Sequence, residues 1–251
     1  MHPRDGGPPA VVAGSARALQ QLGHSVTVLT TVHLCEEEIV KSTWQLLIDA
    51  SAEFIFWQQV GALQLLTSGN RSDELFELIK AYDVVHLHSF WSPIAILAAR
   101  AAYEVGKPYF VSTHGVLDHR AMWRTSFKYF KKRIAVALLN VRAMLRRASG
   151  VVFGSEAEAT QSWNIEPAML RLFIPNGVDP DSVDSPVSAS DRKRLKQVAP
   201  TIEQWDRTLL FLARIHPEKG LDMLVRAFSL ISTEFPNAGL LVAGLKQDAQ
   251  F

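Results

Sequence analysis

Arg214 and Lys219 are separated by four residues and followed by Gly220, at the point where an apolar run over 209–213 gives way to a helical pattern beginning at Leu221. The run reads as a buried strand. At such a strand–loop–helix junction the amide groups and dipole of the helix N-terminus face an anion, and the two side chains add full charges. A diphosphate fits that chemistry. An ordinary connection with two solvated charges fits the same residues, and the loop alone leaves both readings open.

Three histidines form a second constellation. His86 and His88 lie two residues apart in the apolar run 84–88, so strand alternation points both to one face. His114 follows the run 109–113 at its carboxyl end, where open α/β sheets place their ligands. No carboxylate or cysteine completes a recognisable metal-ligand spacing around them, and no metal is expected. His88 is expected at the carboxyl end of its strand, lining a cleft, and His86 as a buried core histidine. A loop-capping role for His114 is the plain alternative. Gly6 and Gly7 sit at a turn just before a helix start, where missing Cβ atoms let a phosphate approach the backbone. An ordinary tight turn is the alternative, and Gly-Gly-Pro by itself favours it.

These segments, taken in order, resemble the family 4 glycosyltransferases, retaining enzymes of the GT-B fold. Gly6-Gly7-Pro8 matches that family's N-terminal glycine loop, and Gly23-His24-Ser25-Val26-Thr27-Val28 its first helix end and second strand. Asp83-Val84-Val85-His86-Leu87-His88 and Ser112-Thr113-His114-Gly115 match two strand ends that face its cleft. Pro175-Asn176-Gly177-Val178-Asp179 matches the approach to its interdomain linker, and Arg214 to Gly220 its donor-diphosphate loop. The resemblance implies a nucleoside-diphosphate sugar as donor, held by Arg214, Lys219, Gly6 and Gly7, with no cofactor and no metal. It makes His114 the catalytic candidate, in contact with the transferred sugar or the reacting centre. The acceptor it implies is a sugar or a lipid-linked oligosaccharide, and the Thr113-His114-Gly115-Val116-Leu117-Asp118 segment resembles members that build bacterial surface polysaccharides.

The elements that must position these residues alternate. Helical spacing of Val12, Ala16 and Leu19 ends at Gly23, and 26–31 reads as a strand. A short strand fits 54–57, a helix 72–81, strands 84–88 and 109–113, and a helix 94–103 between them. Trp123, Phe127, Phe130, Ile134, Leu138, Val141, Leu145 and Ala148 follow a 3–4 spacing that predicts one long amphipathic helix ended by Gly150. A strand at 151–153, a helix at 157–163, an apolar stretch at 172–174 leading into the Pro-Asn-Gly turn, and a final strand–helix–strand unit at 209–213, 221–233 and 240–242 complete the pattern. Such alternation predicts an α/β fold. The expected fold is GT-B-like, a doubly wound parallel sheet over 1–180, a polar linker with one helix over 181–206, and the start of a second Rossmann-like domain over 207–251.

In a doubly wound sheet the first strand is central. Family members begin with it, whereas residues 1–5 run straight into Gly6. The family's E-x7-E glutamate pair also has no counterpart before Phe251. The chain is therefore expected to be truncated at both ends, poorly stable with a gap between 26–31 and 84–88, and inactive by itself. A non-catalytic remnant or partner-binding module is the rival reading. A dinucleotide oxidoreductase would need G-x-G-x-x-G after a first strand, and neither is found.

Composition narrows the partners. The 251 residues carry a net charge of +1, which argues against a whole-protein nucleic-acid surface. The lone Cys35 excludes an internal disulfide and fits a reducing compartment, so a cytoplasmic location is expected. Residues 119–147 are the exception, with nine Lys/Arg, no acid, and Trp123, Phe127, Tyr129 and Phe130 interleaved. That pattern fits peripheral contact with anionic membrane. A core-packed helix with one solvated basic face fits it too, and no nucleic-acid motif accompanies it.

Overall fold

The computed structural model describes residues 7–32, 37–38, 40, 43, 52–58, 69–89, 91–117, 134, 136, 140–178 and 186–244. Gly6, Cys35 and most of the basic stretch lie outside them. The chain divides into two compact units, Met1–Asp179 and Pro180–Phe251.

In the first unit, helix α1 (Gly7–Gln21) buries Pro9, Ala13 and Ala16, and Gly23 ends it in the left-handed region at φ 88°. The amides of Gly23 and His24 turn back to the carbonyls of Gln20 and Leu19, which satisfies the helix end. Strand β1 (Thr27–Val32) pairs in parallel with β2 (Glu53–Gln58), with Thr27 opposite Glu53 and Val32 opposite Gln58. Ala13, Ala16, Val28 and Val40 form a small core there, flanked by Val12, Val26, Phe54 and Phe56.

A second sheet follows. Helix α2 (Gly69–Lys80) packs on α3 (Pro93–Glu104), and strand β3 (Val85–His88) runs between them in sequence. Then come β4 (Tyr109–Ser112), helix α4 (Val141–Arg147), β5 (Gly150–Phe153), helix α5 (Glu156–Gln161) and β6 (Arg171–Phe173). The strand order is β3-β4-β5-β6, all parallel. All four residues of β5 are buried, as befits an interior strand. Helix α3 lies on the sheet through Ala95, Ala98, Ala99, Ala101 and Ala102, whose small side chains allow close approach. Leu75, Ile79, Leu87, Tyr109, Val111, Leu145, Val151 and Phe153 fill the core beneath.

Among the described residues the sheet of the first unit is in two pieces, with no partner on the second edge of β1 or β3, where the sequence expects a gap. Two expectations change at this level. Strand β3 is accordingly buried on one side only, with Leu87 inside and Val84 and His86 exposed. The long helix expected over 123–148 is broken before α4, because Asn140 sits in the left-handed region at φ 52°. Asparagine tolerates that conformation better than most residues, and its polar side chain leaves the apolar 3–4 spacing undisturbed on either side.

The second unit begins with helix α6 (Ala189–Val198), capped reciprocally by Ser188 and Asp191. A 3₁₀ turn (Pro200–Gln204) leads to β7 (Arg207–Leu212), a second 3₁₀ turn (Pro217–Lys219), helix α7 (Leu221–Ile231) and β8 (Ala238–Ala243). Strands β7 and β8 are parallel, with Arg207 opposite Ala238 and Leu212 opposite Ala243. Here too burial is one-sided. Phe211 is buried, but Leu210 and Leu212 are 58% and 74% exposed, so β7 is not the buried strand its apolar run predicts. Alternation sends the two leucines to the opposite face, which no described element covers.

Candidate functional site

The carboxyl ends of β3, β4 and β5 converge on one group of side chains. Beyond β3 the chain turns at Ser89, whose φ is 78°, and the Ser89 amide donates to the Ser112 carbonyl at 3.0 Å. Beyond β4 it turns again through His114 at φ 48° and Gly115 at φ 75°, closed by the Val116 amide on the Thr113 carbonyl at 3.1 Å. Two non-glycine residues therefore occupy the left-handed region at neighbouring strand ends. Each costs on the order of 1–2 kcal/mol, and such strain collects at functional sites because the surroundings must over-determine it.

Glu158 supplies much of that determination. It stands in the first turn of α5, where its amide is capped by the Ser155 hydroxyl at 3.1 Å. Its Oε1 accepts from the Thr113 hydroxyl at 2.6 Å and from the Gly115 amide at 2.7 Å, bracketing His114. Its Oε2 accepts from the Gly154 amide at 2.7 Å, at the end of β5. One carboxylate thus ties two strand ends together.

The turn brings His114 to His88, with Nε2 of His114 3.0 Å from Nδ1 of His88 and the rings stacked at 5.2 Å between centroids. One ring carries the proton at that contact and the other must be bare, so the pair shares a single hydrogen there. His86 continues the row at 4.2 Å from the His88 ring, with Nε2 2.8 Å from the Ser112 hydroxyl. The sequence expectation of a core position for His86 is corrected, since it is exposed on the open face of the edge strand. Burial, with His86 and His114 nearby, lowers the proton affinity of His88 to about 3. Partial desolvation of the His86 ring beside its neighbours also lowers its proton affinity, with His114 adding to it, although the residue as a whole is exposed. His114 is lowered by burial, against an opposing pull from Glu158. All three shifts favour the neutral ring, which can donate to or accept from uncharged hydroxyls without binding an anion through charge. Among the described residues no group of three or more His, Cys, Asp or Glu is arranged to hold a metal.

Gly7, Arg214 and Lys219 stand on other elements than this group. Gly7 opens α1, on the smaller core, with open space where a Cβ would stand. Gly6 is outside the described residues. Arg214 and Lys219 belong to the second unit, both exposed. The Ala213 amide donates to the Ala243 carbonyl at 3.2 Å and so anchors the loop on which Arg214 stands. Lys219 ends the second 3₁₀ turn, and Gly220 at φ 69° caps α7. Asp222 places an acid in the first turn of that helix, which opposes an anion at the same amides.

A family model described as a glycosyl transferase 4-like domain matches residues 6–177. That span holds every residue of the histidine group and leaves Arg214 and Lys219 outside. The fold recurs among solved structures. A glycosyltransferase from Rickettsia africae aligns with a TM-score of 0.56 at 16% identity, over 96% of this chain and 65% of that one. The UDP-GlcNAc 2-epimerase from Neisseria meningitidis, solved bound to UDP-GlcNAc, aligns with a TM-score of 0.56 at 15% identity, over 97% of this chain and 64% of that one. The chain spans just under two thirds of the length of each. No curated protein matches it.

Proposed function

The chain belongs to the glycosyl transferase 4-like family, with a Rossmann-like fold of the GT-B type, and from that premise we propose that it serves transfer of a sugar from a nucleoside-diphosphate sugar to an acceptor. The observation that carries this reading is the pairing of His88 with His114, 3.0 Å apart at the carboxyl ends of adjacent parallel strands. A sugar offers uncharged hydroxyls, and each can donate to a bare imidazole nitrogen or accept from a protonated one. His114 is the residue that meets the transferred sugar. In the second unit, Arg214 and Lys219 grip the donor diphosphate, which gains charge as the glycosidic bond breaks. Arg214 offers a planar two-point grip and Lys219 a point charge. These two cations make a resident metal unnecessary in this reading. The acceptor is a sugar or lipid-linked oligosaccharide on the route to a surface polysaccharide.

A transfer assay across a panel of nucleotide sugars, with sugar and lipid-linked acceptors, tests the proposal. Transfer from at least one donor is what this reading predicts, against the inactivity expected from the sequence alone, with His114→Ala lowering kcat/KM by about tenfold or more, the cost of one buried hydrogen bond. Wild-type rates in His114→Ala would remove the histidine from the account. Failure of every donor would favour a non-catalytic binding module.

A further inference from the structure

We propose that Glu158 is the positioning residue of this site, its carboxylate fixing the 113–115 turn and thereby the direction in which His114 presents its ring. The inference rests on the function proposed above. It begins from what Glu158 does not do. A glutamate three residues after a serine cap ordinarily turns back to the cap's own amide. Glu158 instead leaves its helix, reaching the Gly154 amide with one oxygen and the hydroxyl of Thr113 and amide of Gly115 with the other. The two residues it holds on β4's turn flank His114, the one left-handed non-glycine residue between them. Room for the carboxylate depends on Gly154, where an added Cβ would stand 3.3 Å from Oε2. Through this hold Glu158 keeps the His114 ring against His88 at 3.0 Å. His114 faces His88, His86 and Glu158, and Glu158 alone of these favours its protonated form. Glu158 therefore acts on both the direction and the proton affinity of the ring, without touching a sugar itself.

The test uses the full chain and the variants Glu158→Gln, Glu158→Ala and Gly154→Ala. Glutamine is isosteric and its oxygen can still serve Thr113 and Gly115, but its amide meets the Gly154 amide donor to donor and the charge is gone. The expected result is a downward move of the His114 titration, followed by NMR of its ring protons, with kcat down about tenfold and KM little changed. Alanine should lower kcat further. Gly154→Ala should move both readouts in the same direction by less, and it stands in for any Glu158 variant that does not fold. An unmoved His114 titration in folded Glu158→Gln, or wild-type kcat in Glu158→Ala, would overturn the inference. Should the wild-type chain transfer no sugar, the proposed function fails, while the titration of His114 still decides whether Glu158 positions it.

Discussion

At the scale of single residues, His88 ties chemistry to stability. The folded chain keeps it neutral down to about pH 3, whereas an unfolded histidine takes up its proton near 6.5. Between those values the unfolded state binds more protons, so stability falls as pH falls, by no more than about 1.4 kcal/mol per pH unit for one such site. His86 and His114 shift in the same direction. Urea midpoints at pH 7 and pH 5 should therefore fall for the wild type, and fall less for His88→Gln. Equal falls in both proteins would contradict the assignment. Alternation along 84–88 is enough to read His86 and His88 as neighbours on one face. It cannot say whether anything covers that face, which is why the exposure of His86 is not legible in sequence. Glu158 is hidden for a different reason, because Ser155-x-x-Glu158 reads as a local helix start and its partners at 113 and 115 are more than forty residues away.

At the scale of elements, Tyr109 links β4 to α4 through a hydrogen bond from its hydroxyl to the Met144 carbonyl at 2.5 Å. Burial raises the proton affinity of that hydroxyl, to about 12. Tyr109→Phe should cost about 1 kcal/mol, read as a lower denaturant midpoint, since the Met144 carbonyl keeps the Ala148 amide as a partner. In the second unit the Trp205 indole lies over Gly239, and any Cβ there would run into the ring. Gly239→Ala should therefore destabilise that unit by about 1–3 kcal/mol, with a changed Trp205 fluorescence, and an unchanged melt would refute the packing. The elements themselves follow from hydrophobic period and from glycine stops such as Gly23. Their partners do not. The exposed leucines of β7 depend on which neighbours exist, and a periodic pattern carries no record of that.

At the scale of the whole molecule, a net charge of +1 gives no global attraction to anions, so any electrostatic partner must be met locally. Among the described residues no helix is long and apolar enough to cross a membrane. Two cations of the basic stretch are already engaged, with Arg146 3.6 Å from Glu166 and Arg147 4.1 Å over the Tyr103 ring. The remainder should give weak, salt-sensitive co-sedimentation with anionic liposomes, screened over ~8 Å at physiological salt. Equal binding to neutral vesicles would contradict it. The central claim, that this chain handles a nucleoside-diphosphate sugar as a glycosyltransferase does, is tested most directly at the second unit's loop. Calorimetric titration of UDP and GDP against the wild type, Arg214→Ala and Lys219→Ala reads it. Binding of at least one nucleotide, weakened about tenfold or more by each substitution, is the predicted result, the usual worth of a charge-assisted hydrogen bond. Binding that neither substitution changes would contradict the account.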